Sequence, residues 1–185
     1  DLGFADVVNG VGGVFHTSSV MARSSLFREL PDYCVVSEKH GVGDHPRAIM
    51  FALSGKIRYI DRFMSVYRNN STPTAWTTRI RENAFLVDRL TGAVEMYTAA
   101  LGHVEGEDKK LLEQTLHRYE WELLQAKGEY AEMRREPYRT ITKQRGLVQK
   151  LWLDFKQYFP ELYCLYMKAR GMENGIPEKL RKGKR

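Results

Sequence analysis

The spacing of apolar positions predicts that the second half of the chain is helical. Between Arg79 and Leu101 apolar residues recur every three or four positions, and from Glu107 to Arg135 the same spacing forms a heptad seam. A short break containing Gly102 and Gly106 separates the two segments, so the pattern predicts an antiparallel helical hairpin over residues 79–136. The two stripes are Ile80, Ala84, Val87, Leu90, Val94, Tyr97 and Leu101, and then Leu112, Leu116, Tyr119, Leu123, Ala126, Tyr130 and Met133.

A further helical region follows the hairpin. Thr140 to Phe159 and Glu161 to Arg170 carry helical patterns rich in aromatic residues, and Pro160 separates them. Beyond Gly171, glycine, proline and basic residues leave little to bury, which predicts a frayed or disordered tail. Residues 137–185 are therefore interpreted as a basic, aromatic-rich C-terminal region.

Residues 1–78 carry a different pattern, in which alternating positions predict strands. Phe15 to Ala22 and Ile57 to Tyr67 alternate, whereas the glycine-rich stretch Asp1 to Gly13 is typical of a loop. Ser24 to Leu30 predicts a short helix, and Tyr33 to Val36 a brief extended piece. The predicted fold class is α+β and mostly helical, with a small partial sheet of about two or three strands, the long hairpin and the C-terminal helices.

Asp44 lies between the two predicted strands, at the start of a short apolar helix. Its position suits a helix N-cap, with Pro46 in the first turn and Gly55 at the stop. One interpretation is a cap that contributes about 1 kcal/mol to stability. The other is a catalytic carboxylate where a helix leads into a strand, a common place for chemistry in α/β architectures. Position alone leaves both open.

A series of short motifs surrounds Asp44. They are Gly43-Asp44, GKIRYID from Gly55 to Asp61, MSVYR from Met64 to Arg68, and Trp76, preceded by VFHTSSVMARSSLFRELP from Val14 to Pro31. Together they resemble the acceptor-side half of inverting, family-two glycosyltransferases of the GT-A fold. The resemblance implies that Asp44 is the general base that deprotonates the acceptor hydroxyl. It also implies transfer of a sugar, with inversion, from a nucleotide-sugar donor to a hydroxyl of a saccharide or lipid-linked acceptor.

The same resemblance assigns substrate-binding roles to four other residues. His16 and Ser18 would contact sugar hydroxyls from the strand that lines the acceptor pocket, Arg68 would face the leaving diphosphate, and Trp76 would stack on an acceptor sugar ring. Each has a plainer alternative: packing for His16 and Ser18, a surface ion pair for Arg68, and an anchor for the following helix for Trp76. The sequence departs from the family at Asn70, where many relatives carry a histidine near the diphosphate and its metal.

No metal site is predicted within this chain. Enzymes of this family hold a divalent metal, Mg²⁺ or Mn²⁺, with an Asp-x-Asp motif in an N-terminal half, and the sequence contains no Asp-x-Asp. The expectation is therefore a C-terminal fragment, inactive alone, whose parent binds donor and metal elsewhere. His40 and His45 flank the acidic turn but lack the spacing of a ligand set, and Cys34 and Cys164 are interpreted as reduced thiols.

The net charge of +6 is concentrated in the C-terminal third. Residues 134–150 carry six basic side chains against one acidic, and residues 168–185 carry seven against two. Three interpretations of this region stay open: packing against the hairpin, attachment to a membrane surface, and binding to nucleic acid, the last without a recognised motif. No apolar run approaches the length of a membrane span and no signal peptide is seen, so we expect a cytoplasmic protein or a peripheral one at the inner membrane face.

A rival function comes from a different class of protein. In it the chain is a non-catalytic interaction module, the long hairpin forms a homodimer or docks a partner, and the turn at Asp44 is purely structural. The gene upstream of Asp1 separates the two hypotheses. An Asp-x-Asp motif after alternating strands and helices supports the enzyme, and a nearby start codon supports the module.

Overall fold

Helices dominate the computed structural model, which describes residues 1–10, 19–41, 44–60, 62 and 76–181. They hold 73% of the described residues. Short 3-10 turns occur at Ser24–Phe27, Leu101–His103, Glu132–Arg134 and Glu173–Gly175. The α-helices are α1 Phe4–Asn9, α2 Asp32–Glu38, α3 Asp44–Ser54, α4 Trp76–Arg79, α5 Asn83–Ala100, α6 Gly106–Lys127, α7 Tyr138–Gln144, α8 Leu147–Tyr158, α9 Pro160–Ala169 and α10 Glu178–Arg181.

The predicted partial GT-A-like sheet is wrong for the described residues, which contain no strand. One isolated antiparallel bridge forms, in which the Leu2 N–H donates to the Ile57 carbonyl at 2.7 Å. Beyond it Tyr59 and Ile60 are exposed. An alternating pattern shows that a segment suits a strand, but a sheet also needs neighbouring strands, and among the described residues only this bridge forms. Residues 15–18, 61 and 63–67 of the predicted strands lie outside the described residues.

Two other expectations for the N-terminal region are also wrong. The segment predicted as a loop, Asp1 to Gly13, contains helix α1, which buries Phe4, Val7 and Val8 on one face. The extended piece predicted at Tyr33 to Val36 lies inside helix α2. In both cases the apolar residues are too few for their spacing to separate helix from strand, and packing decides the outcome.

One of two compact units combines Asp1–Arg68 with Thr91–Leu116. Within it α3 packs against α1 and α2. The buried residues of these three helices are Phe4, Val7, Val8, Tyr33, Cys34, Pro46, Ala48, Ile49 and Met50. Burial of this apolar face, at about 25 cal/mol per Å² of surface removed from water, holds the three short helices in place.

The other unit combines Asn69–Leu90 with His117–Arg185. One core cluster contains Trp121, Tyr130, Met133 and Leu153. A second cluster joins Tyr163 and Met167 of α9 to Ile176, which is only 1% exposed. The prediction that the chain has little to bury beyond Gly171 is therefore wrong for residues 171–181, and residues 182–185 lie outside the description.

Helix α6 ends where a glycine allows the chain to turn back. Gly128 has φ of 78°, in the left-handed region that favours glycine, and a Cβ there would lie 3.2 Å from the Cβ of Pro177. The 3-10 turn Glu132–Arg134 follows. The division of the chain at residues 78 and 136 stays a prediction.

Candidate functional site

Asp44 is the first residue of helix α3 and is exposed to solvent. The middle of the helix is held in place, because Ile49 and Met50 are buried against its neighbours. The first N–H groups of a helix have no acceptor within the helix, and together they favour a negative charge at that end. The prediction that a helix ends before Gly55 is confirmed, whereas Asp44, predicted as the N-cap, is instead the first residue of the helix.

His45, the next residue, connects the start of α3 to helix α5. Its Nε2 and the hydroxyl of Tyr97 form a short hydrogen bond, and the two ring centroids lie 5.6 Å apart. Tyr97 is fully buried. This contact fixes the residue beside Asp44 through a side chain that cannot move without disturbing the core.

The segment just before Asp44 is also held by α5. Glu95 accepts an ion-paired hydrogen bond from Lys39 Nζ at 2.7 Å, and His40 Nε2 lies 3.5 Å from the same carboxylate oxygen. The hydrogen bond from Lys39 is the main cause that lowers the pKa of Glu95 below its ordinary value. His40 also packs directly on Gly92, where its Cβ would lie 2.3 Å from an added Cβ.

The other residues assigned to substrate binding are not placed beside Asp44 by the described structure. His16, Ser18 and Arg68 lie outside the described residues. Trp76 begins helix α4, and only its backbone is described. The roles of these four residues stay predictions.

The two histidines near Asp44 contact side chains of helix α5. His40 and His45 lie close to Glu95 and Tyr97, respectively. Across the part of the chain that the structure describes, no group of three or more histidine, cysteine, aspartate or glutamate side chains could hold a metal ion. The divalent metal that the family resemblance implies is expected outside this chain, and that expectation stays a prediction.

The second unit contains a cavity of about 380 Å³ that sequence reasoning missed. Trp121, Glu122, Arg145, Trp152 and Lys156 contribute to its lining. The Arg145 guanidinium lies 4.4 Å from the centre of the Trp121 ring, a cation–π geometry. Burial raises the pKa of Glu122 and lowers the pKa of Lys156. Trp121 and Glu122 are adjacent in the second half of α6, and this pairing of an aromatic with an acidic residue is the sequence feature that could have indicated the cavity.

None of the helices in the described ranges combines the length and apolar content needed to cross a membrane. Comparison of the chain with protein-family models, with curated proteins and with solved structures finds no match.

Proposed function

We propose that this chain is the acceptor-side part of an inverting glycosyltransferase, with Asp44 as its general base. One observation carries the proposal: the carboxylate singled out by the surrounding sequence motifs is exposed at the first residue of a helix. The contacts of His45 and Lys39 with α5 hold the chain on both sides of it.

The main requirement that the reaction places on this carboxylate is its position beside the acceptor hydroxyl. The acceptor oxygen attacks the anomeric carbon opposite the leaving nucleotide diphosphate, and the new C–O bond forms as the bond to the diphosphate breaks. The acceptor proton passes to an Asp44 oxygen in the same step. Asp44 has to accept the proton only as the acceptor oxygen attacks, because the hydroxyl becomes acidic at that point. Exposure leaves Asp44 accessible to an incoming sugar.

Other parts of the reaction are assigned to residues whose side chains the structure does not describe. His16, Ser18 and Trp76 would bind the acceptor, and Arg68 would face the diphosphate. The nucleotide-sugar donor and its divalent metal would be held by residues outside this chain, because the sequence lacks the Asp-x-Asp motif.

The test is the Asp44→Asn variant of the intact parent protein, assayed against a panel of nucleotide-sugars. The amide keeps the size of the side chain and removes the base, so we expect transfer at least about 100-fold slower with an almost unchanged melting temperature. Asp108→Asn is the matched control, because Asp108 is an exposed acid in the first turn of α6. Full activity of the Asp44→Asn protein, or an equal loss in both variants, would remove Asp44 from the mechanism.

A further inference from the structure

Helix α8 turns an apolar side toward solvent. Leu147, Val148 and Leu151 are exposed by 72%, 79% and 58%, respectively. Leu153 is buried and lies on the opposite side of the same helix. Leu153 and the partly buried Phe155 hold the helix against its neighbours, and the apolar side chains of its first half face outward.

Helix α9 repeats this arrangement. Tyr163 and Met167 are buried, whereas Leu162 and Leu165 are exposed on the other side. Single exposed apolar residues are ordinary. Consecutive helices that both expose their apolar sides indicate a surface that binds another molecule or a membrane.

Aromatic contacts connect the two helices. The ring of Trp152 lies 5.4 Å from that of Phe155 on α8 and 5.6 Å from that of Tyr166 on α9, centre to centre. Trp152 and Tyr166 are both partly open to solvent. We define the α8–α9 surface as the exposed side chains Leu147, Val148, Leu151, Trp152, Tyr158, Phe159, Leu162, Leu165 and Tyr166.

The sequence segment that carries this surface is basic. From residue 138 to the end, the sequence carries 12 basic side chains against 4 acidic. Arg139, Lys143, Lys168 and Arg170 are exposed. Of the acidic residues, Asp154 is already paired with Arg134. An occupant of the surface therefore needs an apolar interior and a negative face.

We propose that the α8–α9 surface binds an anionic phospholipid bilayer, with its aliphatic side chains inserted at the headgroup boundary. Protruding leucine and valine side chains on convex helices suit insertion into lipid, and tryptophan and tyrosine beside lysine and arginine are typical of the membrane interface. A second copy of the chain fits less well, because two such surfaces face to face would bring their positive charges together. The proposal does not depend on the role of Asp44.

The experiment is co-sedimentation of the 185-residue chain with vesicles, which needs no enzymatic activity. Vesicles of equal parts phosphatidylcholine and phosphatidylglycerol should bind it, pure phosphatidylcholine vesicles should bind it far more weakly, and high salt should reduce binding. Leu151→Asp should lower the partition coefficient at least about tenfold. The variant loses one inserted leucine and adds a negative charge that the anionic headgroups repel. Leu165→Asp should do the same from α9.

The matched control is Val35→Asp. Val35 lies on α2 and is 57% exposed, against 58% for Leu151, so both changes place one aspartate at an exposed apolar helix position. Circular dichroism of all three variants monitors folding.

Three results would overturn the proposal. They are absence of binding by the unaltered chain, equal binding of the Leu151→Asp and Val35→Asp proteins, and equal binding to neutral and anionic vesicles. A concentration-dependent dimer that Leu151→Asp abolishes, seen by light scattering without vesicle binding, would assign the surface to a second copy instead.

Discussion

The side-chain amide of Asn83 donates a 2.8 Å hydrogen bond to the main-chain carbonyl of Ala126, 43 residues later. Asn83 opens helix α5, and Ala126 lies in the last turn of α6. Carbonyl groups in the last turn of a helix have no N–H partner within that helix. Asn83 therefore supplies a donor to one of these carbonyls, and its side chain is only 7% exposed.

Asn83→Ala should lower the free energy of unfolding by about 1–3 kcal/mol, because it leaves the Ala126 carbonyl buried without its donor. Urea unfolding followed by circular dichroism measures the change. Thr98→Ala is the control, since the Thr98 hydroxyl donates to Val94 within its own exposed helix face. Similar small losses in both variants would show that the Asn83 contact contributes little.

Gly92→Ala should also destabilise the protein, although alanine is normally more favourable than glycine within a helix. An added Cβ at Gly92 would lie 2.3 Å from the Cβ of His40, so the backbone of one segment must move. Overpacking of this kind costs about 1–3 kcal/mol, more than the roughly 1 kcal/mol by which alanine favours a helix. Thermal and urea unfolding measure it.

Two further variants sharpen this prediction. Gly102→Ala adds a Cβ with no atom within 4 Å and should change stability by less than about 0.5 kcal/mol. His40→Gly should recover stability only in the Gly92→Ala background, because the close atom is His40 Cβ itself. Equal effects of Gly92→Ala and Gly102→Ala would contradict the contact.

Thr142→Val should destabilise the protein by about 1–3 kcal/mol. The Thr142 hydroxyl accepts a hydrogen bond from the Trp121 indole at 2.8 Å and donates one to the Met133 carbonyl at 2.6 Å. Valine keeps the shape of the side chain and leaves both buried partners unsatisfied. Thr142→Ser keeps the hydroxyl and should lose less. A larger loss in serine than in valine, measured by urea unfolding, would show that the methyl group matters more than the hydrogen bonds.

Ionisation of Cys34 should lower the free energy of unfolding as the pH rises above 9.0. Burial raises the pKa of its thiol to about 11, from an ordinary value of 9.0. As the pH rises above 9.0, the unfolded chain loses this proton before the native protein does, so stability present at lower pH is lost as the pH approaches 11.

The measurement is the difference in unfolding free energy between the unaltered protein and Cys34→Ala across this pH range. That difference should narrow as the pH rises, because alanine has no proton to lose. Burial, and then the charge of Cys34, raise the pKa of Tyr33, so the comparison is made with Tyr33→Phe in both proteins. A difference that stays constant would mean that the Cys34 thiol titrates alike in both states.

Local chemistry predicted some elements well. Asp44 and Gly55 bracket α3 because turn and capping preferences act within a few residues. On α5 the apolar stripe included Leu90 and Tyr97, which are buried, but also Ala84, which is exposed. The stripe did not include Met96, Ala93 or Ala100. All three are buried because other parts of the chain pack against them.

Contacts between distant segments explain what the sequence did not predict. The sequence predicted a brief extended piece at Tyr33 to Val36, where the structure has helix α2. In the structure Asp32 accepts a hydrogen bond from His103 at 2.8 Å, and the Tyr33 ring meets the His103 ring edge-on. No local pattern contains this information.

The same reasoning applies to the candidate site. The position of Asp44 at a helix start followed from its immediate neighbours, so it could be predicted. The link between His45 and Tyr97 joins residues 52 positions apart, and the link between Lys39 and Glu95 also depends on α5 lying beside this segment. These supports required the three-dimensional arrangement.

The bridge between Leu2 and Ile57 uses only main-chain atoms. Its formation therefore imposes almost no requirement on the identity of either side chain. Proline at position 2 is the exception, since it has no N–H to donate. Among natural variants of this chain, position 2 should accept a wide range of amino acids and exclude that one.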